Sequence, residues 1–267
     1  MARRVAEVVD VPVPRVELPS EAAFERVWRA PARPVIIQGA LESWPARRSW
    51  TLDALRRMIG DLELDVVPID PRGYAGYSAE AGVHYRKRRV SDVIDELAAG
   101  NCSDYLIFRV QQEAPHLFED VRPLPYAAKA SWHQSRFWLA PPGANGALHF
   151  DLPDNLYAQF LGKKEWVLFE PKDALRVYPH PPWSGVPNYA RVDAIQPDLQ
   201  RFPRLSGLTR YRAVIEPGEL LYVPRLWWHQ VRSIDVSLAM NFWWAQGPTL
   251  AMVRAAEVLA KLRGLRL

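Results

Sequence analysis

The sequence predicts a mainly β, α+β fold: a sandwich, jelly roll or barrel of many short strands, preceded by a mixed front third and followed by one helix. Three observations carry this. From about Tyr105 onward, short apolar or alternating runs are separated by Pro, Gly, Asp and Asn, each run of strand length. Before that point, runs with helical spacing alternate with β-branched runs. After Pro248 one amphipathic pattern remains, with Arg254, Glu257 and Lys261 on one side and Val253, Ala256, Leu259 and Leu262 on others.

Taken in order, Ser20 is suited to cap a helix with Glu21 in its first turn and Phe24, Val27 and Trp28 on its apolar side, ended by Pro31 and Pro34. Val35-Ile36-Ile37 reads as a strand. Thr51 caps a second helix carrying Leu52, Leu55, Met58 and Ile59, closed by Gly60, and residues 64–69 form the next strand. Residues 91–99, closed by Gly100, repeat the helical pattern. Strands are then expected at 105–110, 136–140, 156–161, 165–169, 211–215, 220–223, 230–233 and 236–244. No internal repeat or linker interrupts the chain. A single domain over 1–267 is expected, with elements of 15–100 packed on a barrel at 101–247. The helix at 248–267 must bury its apolar face on the barrel or on a second copy, forming a homodimer.

A chain of 267 residues can bury a large core, and 49% apolar with 24% charged residues is a globular composition. The opening residues hold arginines but no apolar signal core, and nowhere do about 18 apolar residues run uninterrupted, so a cytoplasmic location without a membrane partner is expected. The single cysteine, Cys102, excludes an internal disulfide and multi-cysteine metal sites, and reads as a buried apolar residue. Any metal must therefore be held by His, Asp or Glu. The net charge of +4 is a weak pointer to acidic or nucleic-acid partners, because arginine is spread throughout. Its one concentrated run, Arg86-Lys87-Arg88-Arg89, is of the kind that usually forms a solvated face.

Six histidines are present, and two stand in unusual settings. In Ala147-Leu148-His149-Phe150-Asp151 an extended backbone directs His149 and Asp151 to one face, where both can grip one ion. A third ligand is available in His229, which follows Leu220-Leu221-Tyr222-Val223-Pro224-Arg225-Leu226-Trp227-Trp228 and could face the pair across a closed barrel. Two histidines and one carboxylate on one face of an octahedron leave three positions open, the arrangement that non-haem Fe(II) oxygenases use. Alone, a His-x-Asp is more often a hydrogen-bonded pair, and a histidine behind two tryptophans more often a packed core residue. The weight comes from context.

That context is a resemblance. The stretch from His149 through Asp154-Asn155 and Gly162-Lys163-Lys164 to Glu165-Trp166-Val167-Leu168-Phe169 resembles the JmjC-domain, cupin-like hydroxylases, which share H-x-D-x-x-x-N, then G-x-K, then an apolar strand. Glu216-Pro217-Gly218-Glu219 with Leu220-Leu221-Tyr222-Val223-Pro224, Trp227-Trp228-His229 and Met240-Asn241-Phe242-Trp243-Trp244 is similar to the family's third-ligand strand and its return. Pro34-Val35-Ile36-Ile37-Gln38-Gly39-Ala40-Leu41-Glu42-Ser43-Trp44-Pro45 with Trp50-Thr51-Leu52 is similar to the opening of asparaginyl hydroxylases of the factor-inhibiting-HIF type and arginyl hydroxylases of the JMJD5 type, the latter also resembled over 192–203. Coverage runs from Pro34 to Trp244.

The resemblance implies a double-stranded β-helix that binds Fe(II) through His149, Asp151 and His229, with 2-oxoglutarate and O2 as cosubstrates. Lys164 matches the lysine that meets the far carboxylate of 2-oxoglutarate, and Tyr105 the tyrosine that joins it there. Asn155 and Asn241 match amides lining the cosubstrate or the metal's surroundings. At the position of Gly146 these hydroxylases commonly carry Ser or Thr donating to the same carboxylate, and this chain departs from them. The expected reaction is hydroxylation of a C–H bond, on an amino-acid side chain of a protein or peptide, with release of succinate and CO2. Two alternatives stand beside it: the same chemistry on RNA, motivated by the basic run, or on a small molecule; and a non-catalytic cupin-like binding module, motivated by Gly146. Trp132, Trp138, Trp227, Trp228, Trp243 and Trp244 read mainly as core, with one or two as a substrate wall. His84, His116, His133 and His180 match no family position and read as structural or surface residues.

Overall fold

The computed structural model describes residues 7–78, 82–122, 124–127 and 132–263. Its strands are β1 (Val9–Pro12), β2 (Arg15–Glu17), β3 (Val35–Gln38), β4 (Glu63–Pro68), β5 (Tyr77–Ser78), β6 (Gly82–Val83), β7 (Arg86–Arg89), β8 (Asp104–Arg109), β9 (Trp132–Ala140), β10 (His149–Phe150), β11 (Asp154–Leu161), β12 (Lys164–Phe169), β13 (Thr209–Ile215), β14 (Leu220–Val223), β15 (Trp228–Ser233) and β16 (Ser237–Ala245). The α-helices are α1 (Glu21–Phe24), α2 (Ala46–Ser49), α3 (Leu52–Ile59), α4 (Val90–Ala99), α5 (Val110–Glu113) and α6 (Gly247–Leu262).

Two mixed sheets face each other as a jelly roll. One runs β1-β13-β12-β15-β10 and the other β2-β3-β14-β11-β16-β9-β8-β4-β7. Alternation along the central strands sorts side chains between two environments. Leu156, Ala158 and Phe160 of β11, Leu220 and Tyr222 of β14 and Leu238 and Met240 of β16 point outward. There they meet Phe24, Leu41, Trp44, Trp50, Leu55 and Ile59 from the helical front third. The residues between them point inward: Tyr157, Leu221, Val223 and Ala239 meet Trp166, Leu168, Ala213 and Ile215 of the smaller sheet. The smaller sheet's other face is covered by residues after β12, including Val177, Ala190, Val192, Leu205 and Leu208.

The strands expected from sequence are present with ends moved by a few residues, β9 by the most. The expected caps also form: Ala23 N–H donates to the Ser20 hydroxyl and Ala54 N–H to that of Thr51. The first helix differs beyond Phe24, continuing as a π turn over Glu25–Arg29 that leaves Val27 exposed. Cys102 is half-buried against the main core, its thiol lying 3.4 Å from the Asp104 carbonyl, and burial pushes its pKa up. One face of α6 buries Thr249, Val253 and Ala260, while Met252, Val258, Leu259 and Leu262 stay exposed. Among the described residues no helix is long and apolar enough to cross a membrane.

One turn fixes the interior register. Gly162 joins β11 to β12 with φ at +62°, and a Cβ there would lie 2.1 Å from the Val236 carbonyl oxygen, so only glycine fits. Beyond it, Lys164 pairs with Ser233 and Leu168 with His229 on the adjoining β15.

Candidate metal centre

β10 and β15 pair antiparallel with His149 directly opposite His229, and Asp151 follows at the end of β10. The two imidazole centroids are 4.3 Å apart, and Nε2 of His229 lies 3.7 Å from Oδ2 of Asp151. One ligand atom from each of the three residues falls within 4.8 Å of the others, close enough to share an ion. The two-residue spacing that suggested this pair in the sequence is met, although the strand itself stops at Phe150.

Both imidazoles are held in the tautomer a metal requires. Nδ1 of His149 lies 2.8 Å from the Ala147 carbonyl oxygen, and Nδ1 of His229 lies 3.0 Å from that of Trp227. A carbonyl only accepts, so each Nδ1 carries a hydrogen and Nε2 is left as the atom facing the other ligands. Burial, and then the neighbouring His149, push the His229 pKa down to about 4, so it is neutral at pH 7. The indole N–H of Trp243 donates to Oδ2 of Asp151 at 2.9 Å. The ring of Tyr189 stacks on His149 and that of Trp166 on His229. Two imidazoles and one carboxylate, oriented from behind, fit a divalent ion of the iron(II) kind.

Deeper in the roll, Lys164 is fully buried and its Nζ donates to the Tyr105 hydroxyl at 2.6 Å. No carboxylate pairs with it among the described residues, and burial pushes its pKa down to about 7. A buried amine with only the phenols of Tyr105 and Tyr157 for company is suited to receive an anion. Asn155 and Asn241 form a buried amide pair, Nδ2 of Asn241 donating to Oδ1 of Asn155 at 3.1 Å. Oδ1 of Asn241 accepts from the Trp138 indole at 2.8 Å and from the Arg136 backbone N–H at 3.2 Å.

The sequence-derived site residues therefore occur as three contacts: the His149, Asp151 and His229 group, the Lys164 and Tyr105 pair, and the Asn155 and Asn241 pair. Sequence reasoning assigned no role here to Arg136, Tyr157 or Tyr189, and Trp138 and Trp243 only a general one. Strand alternation was the available signal, since Arg136 and Trp138 share a face of β9, and Asn241 and Trp243 a face of β16. Trp227, Trp228 and Trp244 are core, as expected. The side chain of Trp132 lies outside the described residues.

The basic run is a largely exposed edge, as expected, but most of its charge is paired within the chain. It forms β7 at the edge of the larger sheet, where Arg86 and Arg88 each reach the fully buried Asp104 at 2.7 Å. Arg88 also pairs with Glu96 at 2.7 Å, and Lys87 with Asp65 at 3.4 Å. Three of its four charges are thus answered within the chain, because a buried carboxylate needs cations.

Comparison with known proteins agrees with this geometry. Residues 21–250 match the cupin-like domain family. The chain is 31% identical over 250 residues to lysine-specific demethylase 8 of Danio rerio, covering 87% of this chain and 58% of that protein. It is 30% identical over 262 residues to the human bifunctional peptidase and (3S)-lysyl hydroxylase JMJD7, covering 85% and 81% respectively. It is 26% identical over 258 residues to human tRNA wybutosine-synthesizing protein 5, covering 90% and 79%. The chain spans little more than half the length of the demethylase 8 proteins, 58% in Danio rerio and 53% in Xenopus tropicalis. A match over most of the chain, with a metal-ready histidine and carboxylate group at its centre, establishes that this protein belongs to the cupin-like JmjC family of iron(II)- and 2-oxoglutarate-dependent oxygenases.

Proposed function

We propose that the chain hydroxylates a C–H bond on an amino-acid side chain of a protein or peptide, consuming 2-oxoglutarate and O2 and releasing succinate and CO2. The observation that carries this is the pairing of an ion-sized His149, Asp151 and His229 group with the buried, carboxylate-free Lys164 across the β12–β15 register. Ferrous iron held by those three residues would supply the oxidising chemistry, with 2-oxoglutarate and O2 as cosubstrates. Lys164 and Tyr105 would hold the cosubstrate's far carboxylate. The backbone carbonyls of Ala147 and Trp227 and the indole of Trp243 keep the ligand atoms aimed. The buried ring of Trp166 stacks on His229 and covers that side of the centre.

A protein substrate is favoured over RNA because the basic run that suggested nucleic acid is spent on Asp104, Glu96 and Asp65. One relative's name specifies a lysyl hydroxylase and another's a demethylase. Arg136 narrows the substrate further. Its guanidinium lies 5.2 Å from the Trp243 ring, its buried Nε has no hydrogen-bond partner, and no carboxylate pairs with it among the described residues. Arg109 stands opposite it on β8, its pKa lowered by burial and then by Arg136. An anionic group beside the target C–H suits that setting. The exposed apolar residues of α6 offer a face for pairing two copies.

Incubation with Fe(II), 2-oxoglutarate and a proteome digest should produce succinate and peptides heavier by one oxygen atom. Both should vanish in His149→Ala. Succinate without an oxidised peptide or protein would send the search to RNA and small molecules. Absence of both, with iron bound, would leave a binding module.

A further inference from the structure

We propose that Tyr157 supplies the hydroxyl that the family pattern places at Gly146, donating to the far carboxylate of 2-oxoglutarate beside Lys164 and Tyr105. The inference rests on the reading of Lys164 as the carboxylate anchor.

Tyr157 lies on β11 with its neighbours Leu156 and Ala158 turned toward the helical layer, so its own side chain enters the roll. The ring is 4% exposed and held on two sides, edge-on to Trp166 at 4.8 Å and tilted against Trp138 at 6.4 Å. Its hydroxyl is buried and, apart from a marginal approach to the Tyr105 hydroxyl, has no hydrogen-bond partner among the described residues. Polar atoms in that condition are rare, and one beside a buried lysine points to a partner that arrives with a ligand.

The surroundings identify the partner's chemistry. Nζ of Lys164 lies between the two phenols, 4.9 Å from the Tyr105 ring centre and 5.6 Å from that of Tyr157. Burial, and then Tyr105, push the Tyr157 pKa well up, so its hydroxyl keeps its proton. The Tyr105 oxygen accepts from Lys164, leaving its own hydrogen to donate. A carboxylate entering here would meet one ammonium and two phenol donors, matching its acceptor sites.

Gly146 does not contradict this. A Cβ built on it would come no closer than 3.8 Å to the Val231 carbonyl oxygen, and its φ is not in the left-handed region. Neither backbone nor crowding demands glycine, so a serine can be restored there as a test.

The experiment is an anaerobic calorimetric titration of 2-oxoglutarate into Mn(II)-loaded protein, comparing wild type, Tyr157→Phe, Gly146→Ser and the double variant. Tyr157→Phe should weaken binding by roughly 10- to 100-fold, the effect of losing one hydrogen bond to a charged group. Gly146→Ser should recover part of that loss in the double variant. The ligand-free melting temperature of Tyr157→Phe should be unchanged or higher, since the variant deletes an unpaired buried hydroxyl, whereas a purely structural tyrosine would lower it. Wild-type affinity in Tyr157→Phe, with Mn(II) binding intact, would overturn the assignment. Failure of the Mn(II)-loaded wild type to bind 2-oxoglutarate would instead remove the Lys164 reading and this inference together.

Discussion

Trp243 donates its indole N–H to Oδ2 of Asp151 at 2.9 Å, binding a wall residue of the roll to a metal ligand. Trp243→Phe keeps most of the apolar contact but loses the donor, so the carboxylate can rotate away from the ion. Metal affinity should fall by about 10- to 100-fold, the usual effect of deleting such a supporting bond. Anaerobic Fe(II) titration measures it, and an unchanged affinity would show that Asp151 is held by its backbone alone.

Lys164 should give the free protein and its cosubstrate complex opposite responses to pH. Burial lowers its pKa from 10.5 to about 7, while the unfolded chain keeps the higher value. Between these values the unfolded state binds more protons, so this group's effect on stability becomes more favourable as pH rises through that window. A bound carboxylate restores the ammonium. Above pH 7, binding therefore takes up a proton, and 2-oxoglutarate affinity should decline with rising pH. Calorimetry in buffers of different ionisation heat should reveal the uptake, and Lys164→Met should abolish it.

The Asp104 cluster is structural. Replacing both Arg86 and Arg88 with alanine leaves a fully buried carboxylate without cations, which should cost about 2–3 kcal/mol in a urea titration, below the upper range for buried pairs because Arg86 is half exposed. The same variant should leave any RNA retention at low salt unchanged. A loss of RNA binding without a loss of stability would restore the nucleic-acid reading.

Arg136→Gln should leave iron and 2-oxoglutarate binding near wild type while lowering turnover of peptides with Asp or Glu beside the modified residue at least about tenfold, as expected for a charged hydrogen bond. Equal turnover of acidic and neutral peptides by the wild type would remove the anion from the substrate description.

The sequence was most legible where one residue type does one job. The His149, Asp151 and His229 group was suggested by a two-residue spacing and a distant histidine, and Lys164 by family resemblance alone; the roll brings the first three together and buries the fourth. Strands β11, β12, β14 and β16 were readable because alternation or continuous apolar character reports burial on one or both faces. Strand β7 was not, since four basic residues in a row carry no apolar pattern and the strand is secured by distant acids. β1 and β2 were missed because each is brief and borders prolines, and β1 pairs parallel with a strand far along the chain. Arg136 and Tyr157 were invisible as site residues because what marks them, an unpaired buried atom, exists only once the roll has closed.

The β12–β15 ladder works as a ruler. Lys164 pairs with Ser233 and His229 with Leu168, four rungs apart along each strand, so the backbones at the anchor and at the His229 ligand are held about 13 Å apart along the ladder. A one-residue insertion between Gly162 and Phe169 would turn every later side chain to the opposite face and separate lysine from metal in one step. The long connection over residues 170–208 lies outside that ladder. Length variation among descendants of this chain should therefore collect in the connection, where a new substrate can be met without resetting the gauge.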